Sequence, residues 1–215
     1  MKDKAPKKVL CVDLGAVLIE FDGSPVEQLI KKEKRKRFTE QVIPRHDKDE
    51  LHLWYLYKEL VSGYFEEFVT FEKFVQAYAS CIVKTHRPMF EALFQLRKEN
   101  RARLVCTTDN NHFAFAQLAL KCPEIFQLFK EGNGYQFVIS YILHALKIDG
   151  SPFTRAGSEF GFAPSEGAVV DDRDYNLEAA VKVGFDKSAC FLYKQGNKLN
   201  QKQFKKFLEK NFPKK

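Results

Sequence analysis

The chain has 215 residues, of which 45% are hydrophobic and 29% charged, with 21 Phe and a formal net charge of +7. That length supports one substantial domain, or a core domain with a smaller inserted unit, and that composition excludes an intrinsically disordered chain. No apolar run approaches the ~20 residues of a membrane helix, and the charged start Met1-Lys2-Asp3-Lys4 leads into no signal-peptide stretch, so a cytoplasmic protein with no membrane partner is expected.

In chain order, Lys8 to Val12 reads as a buried strand and Leu18 to Gly23 as a short extended segment closing in a turn. From Pro25 to about Thr85 the periodicity is helical, and three or four helices with no strand between them are expected. Val26, Leu29 and Ile30 open the first; Leu53, Trp54, Leu56, Tyr57, Leu60 and Val61 form an apolar stripe; Phe71, Phe74, Val75 and Tyr78 form another, with Thr70 as its N-cap. After Arg87-Pro88 strands and helices alternate. Helices are expected over 89–99, 112–121 (Phe113, Gln117 and Leu120 at helical spacing), 152–161 and 177–183. Strands are expected over 102–107, 137–140, 168–170 and 189–193, and a last helix carries Phe204, Phe207, Leu208 and Phe212 on one face. Such alternation predicts an α/β fold: a Rossmann-like parallel sheet sandwiched by helices, built from 1–22 and 86–215, with an α-helical unit inserted at 23–85.

The positive charge is concentrated in Lys31-Lys32-Glu33-Lys34-Arg35-Lys36-Arg37 and in the Lys-rich tail from Lys198 to Lys215. A nucleic-acid surface would interleave stacking aromatics with such a run, and the first has none until Phe38, so a solvated helix face is expected instead. The cysteines Cys11, Cys81, Cys106, Cys122 and Cys190 show no paired-ligand spacing and are read as reduced structural residues. The histidines His46, His52, His86, His112 and His144 form no metal-ligand pair at helical spacing; of these, His112 and His144 are expected nearest the active-site edge.

The apolar run Val9-Leu10-Cys11-Val12 ends on Asp13-Leu14-Gly15, and a second, Val169-Val170, ends on Asp171-Asp172. Ligands of an open α/β sheet bind just beyond the carboxyl ends of its strands, so acids carried there by two strands converge. Three carboxylates form a hard oxygen site suited to Mg²⁺, with positions left for water and a substrate phosphate. Capping of the following helices explains one such acid well and three poorly.

Four elements thus stand at strand ends in a fixed order: Asp13, Thr107, Lys147 and Asp171-Asp172. This order resembles the haloacid dehalogenase (HAD) superfamily, in particular its phosphatase-like members with a helical C1-type cap inserted after the first motif. Asp13-Leu14-Gly15-Ala16-Val17-Leu18-Ile19 looks like the first motif, Leu104-Val105-Cys106-Thr107 the second, Ser140 with Lys147 and then Pro152-Phe153 the third, and Val169-Val170-Asp171-Asp172 the fourth. The resemblance implies a Mg²⁺-dependent hydrolase of a small phosphorylated metabolite. Asp13 would attack phosphorus in line and form an aspartyl-phosphate. Thr107 and Thr108 would bind the phosphoryl group, and Lys147 would neutralise it and hold Asp13 ionised by proximity. Asp13, Asp171, Asp172 and the Gly15 carbonyl would hold the metal.

The family's second aspartate, two positions after the nucleophile, is Gly15 here; Ile148 and Asn176 also depart from the pattern. Loss of such an acid-base group costs on the order of 10²- to 10⁴-fold. Glu20, Asp22 and Asp109 are candidate substitutes, and a leaving group that departs readily, such as a sugar 1-phosphate or an acyl phosphate, needs less help. The alternative is a catalytically impaired protein of the same fold that binds a phosphorylated ligand or a protein partner. The dehalogenase branch is disfavoured, because its aromatic motif after the nucleophile is absent and the acid pair points to a retained metal. Oligomeric state is not legible.

Overall fold

An uninterrupted apolar strand is stable only if covered on both faces, and Val9 to Val12 is buried at every position. A computed structural model describes residues 8–214; the charged start Met1-Lys2-Asp3-Lys4 and Lys215, the end of the basic tail, lie outside the described residues. The strands are β1 (Val9–Val12), β2 (Ile19–Phe21), β3 (Ile82–Thr85), β4 (Arg103–Thr108), β5 (Lys130–Glu131), β6 (Gly134–Tyr135), β7 (Phe137–Ile139), β8 (Gly167–Asp171) and β9 (Cys190–Leu192). Five of them form a parallel sheet in the order β7-β4-β1-β8-β9. The chain builds outward from β1 through β4 to β7, then crosses to lay β8 and β9 on the other side. That reversal opens a crevice at the carboxyl ends of β1 and β8, where ligands of such sheets bind.

The α-helices are α1 (Ser24–Glu27), α2 (Arg35–Arg37), α3 (Ile43–Asp47), α4 (Leu53–Val61), α5 (Phe71–Ser80) and α6 (Arg87–Lys98). After β4 come α7 (His112–Lys121), α8 (Glu124–Leu128), α9 (Ser140–Leu143), α10 (Ser151–Phe160), α11 (Asp174–Lys182) and α12 (Lys198–Asn211). Side chains alternate across the sheet, as the pleat requires. Leu10, Val12, Leu104, Cys106, Ala168 and Val170 face one core with residues of α6, α7, α8 and α12. Val9, Cys11, Val105 and Val169 face the other, with Phe153, Ala156, Ala179 and Ala180 of α10 and α11. The cysteines are free, and all but the half-buried Cys190 are buried.

Residues between β2 and β3 have a hydrophobic cluster of their own, built on Ile30, Phe38, Val42, Leu56, Leu60, Phe65 and Phe74. Thr70 caps α5, its hydroxyl accepting the Lys73 N–H at 3.2 Å. The segment is more broken than its periodicity predicts. Between α2 and α3 lies a π-helical stretch, Phe38–Val42, immediately before Pro44. A proline inside a helix removes one hydrogen bond and clashes with the carbonyl four residues earlier, and a wider turn relieves both.

Several boundaries differ from the sequence expectation. Ile82–Thr85 is a strand, not helix, and pairs antiparallel with β2, so the chain leaves the sheet through one strand of this ribbon and returns through the other. Four residues with a partner some 60 positions earlier carry no local signal for this. The small hairpin of β5 and β6 was not expected either. Ser140 opens α9 instead of ending β7. In α7 the buried residue is Leu118, while Leu120 is 75% exposed, because that helix lays only one narrow stripe on the sheet. The basic run is short helical turns with Lys32, Lys36 and Arg37 exposed. No helix among the described residues is long and apolar enough to cross a membrane.

Candidate active site

Register alone brings the first residues together. Val12 pairs with Cys106 on one side and with Val170 on the other, so Asp13, Thr107 and Asp171 are the next row across three adjacent strands. The Asp13 N–H donates to the Val170 carbonyl at 3.0 Å, which holds that row in line past the end of β1. All three side chains are buried, as is Thr108 at the end of β4. After Asp13 the chain turns at once: the Leu18 and Ile19 N–H groups both donate to the Leu14 carbonyl at 2.9 Å, and Ala16 takes a left-handed φ of 53°. Gly15 sits in this turn with nothing within 4 Å of where a Cβ would stand.

Lys147 comes from a distant loop, and local chemistry aims it. It opens a 3₁₀ turn over Lys147–Asp149 that closes on Gly150, whose φ of +77° favours glycine. The Leu146 N–H donates to Asp149 Oδ2 at 3.1 Å, and the Lys147 N–H donates to Asp109 Oδ1 at 2.8 Å. The ammonium then reaches Asp13 Oδ1 at 2.6 Å and Asp171 Oδ2 at 2.5 Å, with Lys147 only 2% exposed. Asp171 is held from the far side as well, its Oδ1 accepting from the Arg173 N–H at 2.9 Å and from Asn176 Nδ2 at 3.0 Å. Asp172 is half-buried and paired with Arg173 Nε at 3.1 Å. Oxygens of Asp13, Asp171 and Asp172, one from each, lie within 4.8 Å of one another.

Burial raises the Asp13 carboxyl above the ordinary carboxylate range; Lys147 pulls it down, and Asp171 and Asp172 push it up again. The ion pair with Lys147 is therefore opposed by desolvation, more than proximity alone predicts. Burial would lower the Lys147 ammonium, but Asp13, Asp171 and Asp109 together hold it well above the usual lysine value. Asp172 is likewise raised by burial, against Arg173.

The remaining candidates fall elsewhere. Glu20 lies in the β2–β3 ribbon, 3.5 Å from Lys84 and 3.8 Å from His86, and Asp22 is exposed and bonded to Ser24. Neither reaches the Asp13 cluster, because the ribbon carries both away from the sheet. Asp109 is adjacent to the cluster, but one of its oxygens is committed to the Lys147 N–H. His112 is exposed and stacks on Tyr141, while His144 meets the Lys48 carbonyl through Nδ1 at 2.8 Å.

One acid held against the loop after β4 was invisible in the sequence. Asp47, at the end of α3, accepts from Asn111 Nδ2 at 2.9 Å, and its carbonyl accepts the Ser140 hydroxyl at 2.7 Å. It lies in the charged stretch Arg45 to Glu50, which has the texture of a solvent loop, and no spacing relates it to Asp13.

No family model matches the sequence, and no curated protein matches it. Solved structures do. A HAD family enzyme from Bacteroides thetaiotaomicron superimposes with a TM-score of 0.71 at 17% identity, over 90% of this chain and 96% of that one. A predicted HAD-like family hydrolase from Porphyromonas gingivalis gives 0.71 at 17% identity, over 94% and 98%. The chain has the haloacid dehalogenase fold. An L-2-haloacid dehalogenase from Xanthobacter autotrophicus shares this HAD fold more distantly, with a TM-score of 0.59 at 14% identity over 90% of this chain and 80% of that one. The B. thetaiotaomicron enzyme is also known in complex with magnesium and inorganic phosphate, and in that form it matches at 0.69 and 17% identity over 89% and 96%. In this HAD fold the Asp13, Thr107 and Asp171 row stands in the switch-point crevice, and Lys147 closes it from the side.

Proposed function

We propose that the protein is a Mg²⁺-dependent phosphatase of a small phosphorylated metabolite, working through an aspartyl-phosphate on Asp13, with residues 23–85 as a cap over the site. The observation that supports it most is the desolvated Lys147 ammonium, 2.6 Å from Asp13 and 2.5 Å from Asp171, beside a third carboxylate. A buried cation facing a strand-end carboxylate suits a group that must both hold an anion and attack it. The magnesium and phosphate bound by the B. thetaiotaomicron enzyme support the same ligand pair here.

The residues fit the metal. Asp13, Asp171 and Asp172 offer hard oxygens only, with the Gly15 carbonyl as a further donor, and three acids against one buried lysine leave charge for a divalent cation to balance. Bound Mg²⁺ would neutralise charge on the phosphoryl oxygens. The chain's own groups do the rest. Asp13 attacks phosphorus, Thr107 and Thr108 hydrogen-bond the phosphoryl oxygens, and Lys147 holds the anion and orients Asp13. Asn176 and the Arg173 N–H fix the Asp171 carboxylate. The cap excludes water and selects the substrate.

The test is hydrolysis of a panel of phosphate esters with Mg²⁺, with EDTA, and after Mg²⁺ is restored. Removal should cost at least on the order of 10²-fold, reversibly. Since burial raises Asp13 and the ligand form is the carboxylate, apparent Mg²⁺ affinity should climb with pH above the ordinary carboxylate range, measured calorimetrically with proton release. Hydrolysis that continues unchanged in EDTA would rule the metal out. The absent acid at Gly15 favours one other reading, a binding protein of the same fold. It would take up Mg²⁺ and phosphate in the calorimeter and turn over no ester.

A further inference from the structure

An in-line displacement sets the leaving oxygen on the far side of phosphorus from its attacker. Asp13 attacks from the tip of β1, so the leaving oxygen faces away from the sheet, toward the segment between β2 and β3. Gly15 offers no acid there, Glu20 faces Lys84 and His86 in the ribbon, Asp22 is exposed and bonded to Ser24, and Asp109 belongs to the core side of the cleft, on the loop after β4 that also binds the Lys147 N–H. The helical segment brings one carboxylate onto the loop after β4. Asn111 Nδ2 holds Asp47 Oδ1 at 2.9 Å while donating also to the Tyr78 hydroxyl at 2.8 Å, and Ser140 fixes the Asp47 carbonyl. Ser140 is itself placed by register, because Thr108 pairs with Ile139, and its hydroxyl accepts the Asn110 N–H at 2.8 Å. Asp47 Oδ2 takes no hydrogen bond from a described residue, and no lysine or arginine among them pairs with it. We propose that Asp47 is the proton donor and acceptor that Gly15 cannot be, supplied across the cleft by the helical segment.

The inference rests on the phosphatase reading above. In the first half-reaction the P–O bond to the leaving group breaks as the Asp13 Oδ–P bond forms. Asp47 gives its proton to the departing oxygen, releasing an alcohol and leaving a carboxylate. In the second, water bonds to phosphorus as the Asp13 Oδ–P bond breaks; Asp47 takes the water's proton, and phosphate leaves. Burial pushes Asp47 up to about 7, against the Asn111 hydrogen bond and with help from Asp109, which suits a group that must give and take a proton near neutrality. Tyr78 shares the Asn111 amide with Asp47, and the remaining titratable groups around it are engaged elsewhere. Lys48 pairs with Glu50 at 2.6 Å and Asp49 with His52 at 3.3 Å, His46 meets the Leu51 carbonyl, and His144 meets the Lys48 carbonyl.

The experiment compares p-nitrophenyl phosphate, whose leaving group departs as an anion, with glycerol phosphate, whose alkoxide needs a proton. In Mg²⁺ and in single turnover with enzyme in excess, which isolates the first half-reaction, Asp47→Asn should slow phosphorylation by glycerol phosphate on the order of 10²-fold or more and barely touch p-nitrophenolate release. In the natural protein the glycerol phosphate step should fall as pH rises through about 7, where Asp47 loses its proton, and Asp47→Asn should lose that limb. Adding Gly15→Asp to Asp47→Asn should restore alkyl-ester turnover, since a Cβ at position 15 meets nothing within 4 Å. Equal slowing of both esters in single turnover, or a pH limb that survives Asp47→Asn, would overturn the assignment. So would a carboxyl-carbon titration of the natural protein placing Asp47 at an ordinary carboxylate value. If the natural protein hydrolyses neither ester, the phosphatase reading falls and this one with it; if it hydrolyses both and Asp47→Asn changes nothing, only this one falls.

Discussion

Replacing Lys147 with Met should cost about 3–5 kcal/mol of stability in metal-free buffer, because it strands the Asp13 and Asp171 carboxylates without the cation that both contact. Methionine nearly fills the space of the lysine stem, so a cavity contributes little and the loss is electrostatic. For a chain of this size that corresponds to a melting temperature lower by roughly 10–15 °C. The pH dependence separates this cause from poor packing. Without Lys147 the folded-state value of the Asp13 carboxyl, already raised by burial, rises further above its unfolded value. Groups raised in this way penalise the folded state only when ionised, so the deficit should be largest near neutrality and shrink as pH falls toward 4. Thermal melts of both proteins at pH 5 and 7.5 would measure it. A deficit that is the same at both values, or a melting temperature within about 2 °C of the natural protein at pH 7.5, would show that the buried pair is not what holds this corner together.

Asp13→Asn should abolish turnover, with a loss on the order of 10⁴-fold or more, since an amide oxygen in the same place cannot form the phosphoenzyme. The fold should survive. Asparagine keeps an acceptor for the Lys147 ammonium, which retains Asp171 at 2.5 Å. Acid-quenched natural protein incubated with substrate should carry a phosphate adduct on the peptide containing Asp13, and the variant should carry none. An adduct on another residue, or hydrolysis by Asp13→Asn at the natural rate, would refute the assignment of the nucleophile. The effect exceeds that expected for Asp47→Asn because general acid-base help is partial, whereas the covalent route has no substitute.

The sheet was legible because its strands are short, apolar on both faces and punctuated by polar tips. Val9 to Val12, Arg103 to Thr108 and Gly167 to Asp171 declare themselves locally, and so does α12 through the spacing of Phe204, Phe207 and Leu208. Of the β2–β3 ribbon only the first strand was legible, as the extended segment from Leu18 to Gly23; β3 and the pairing were not. The ribbon's stability comes from pairing across the whole helical segment, and the exposed Val83 breaks the half-buried pattern that marks a strand. The interruption of the helices before Pro44 was foreseeable in kind, though not the π-helical form it takes.

At the site, the acids at strand ends determined by themselves which residues would gather, because parallel pairing turns equal positions along neighbouring strands into neighbours in space. Asp13, Thr107 and Asp171 are such a row. Tertiary structure alone decided that Lys147 is buried against two carboxylates, that Asp109 anchors its backbone and that Asp47 closes over the loop after β4. Those contacts join loops separated by tens of residues, and a side chain's chemistry does not record which distant element will desolvate it or lend it a partner.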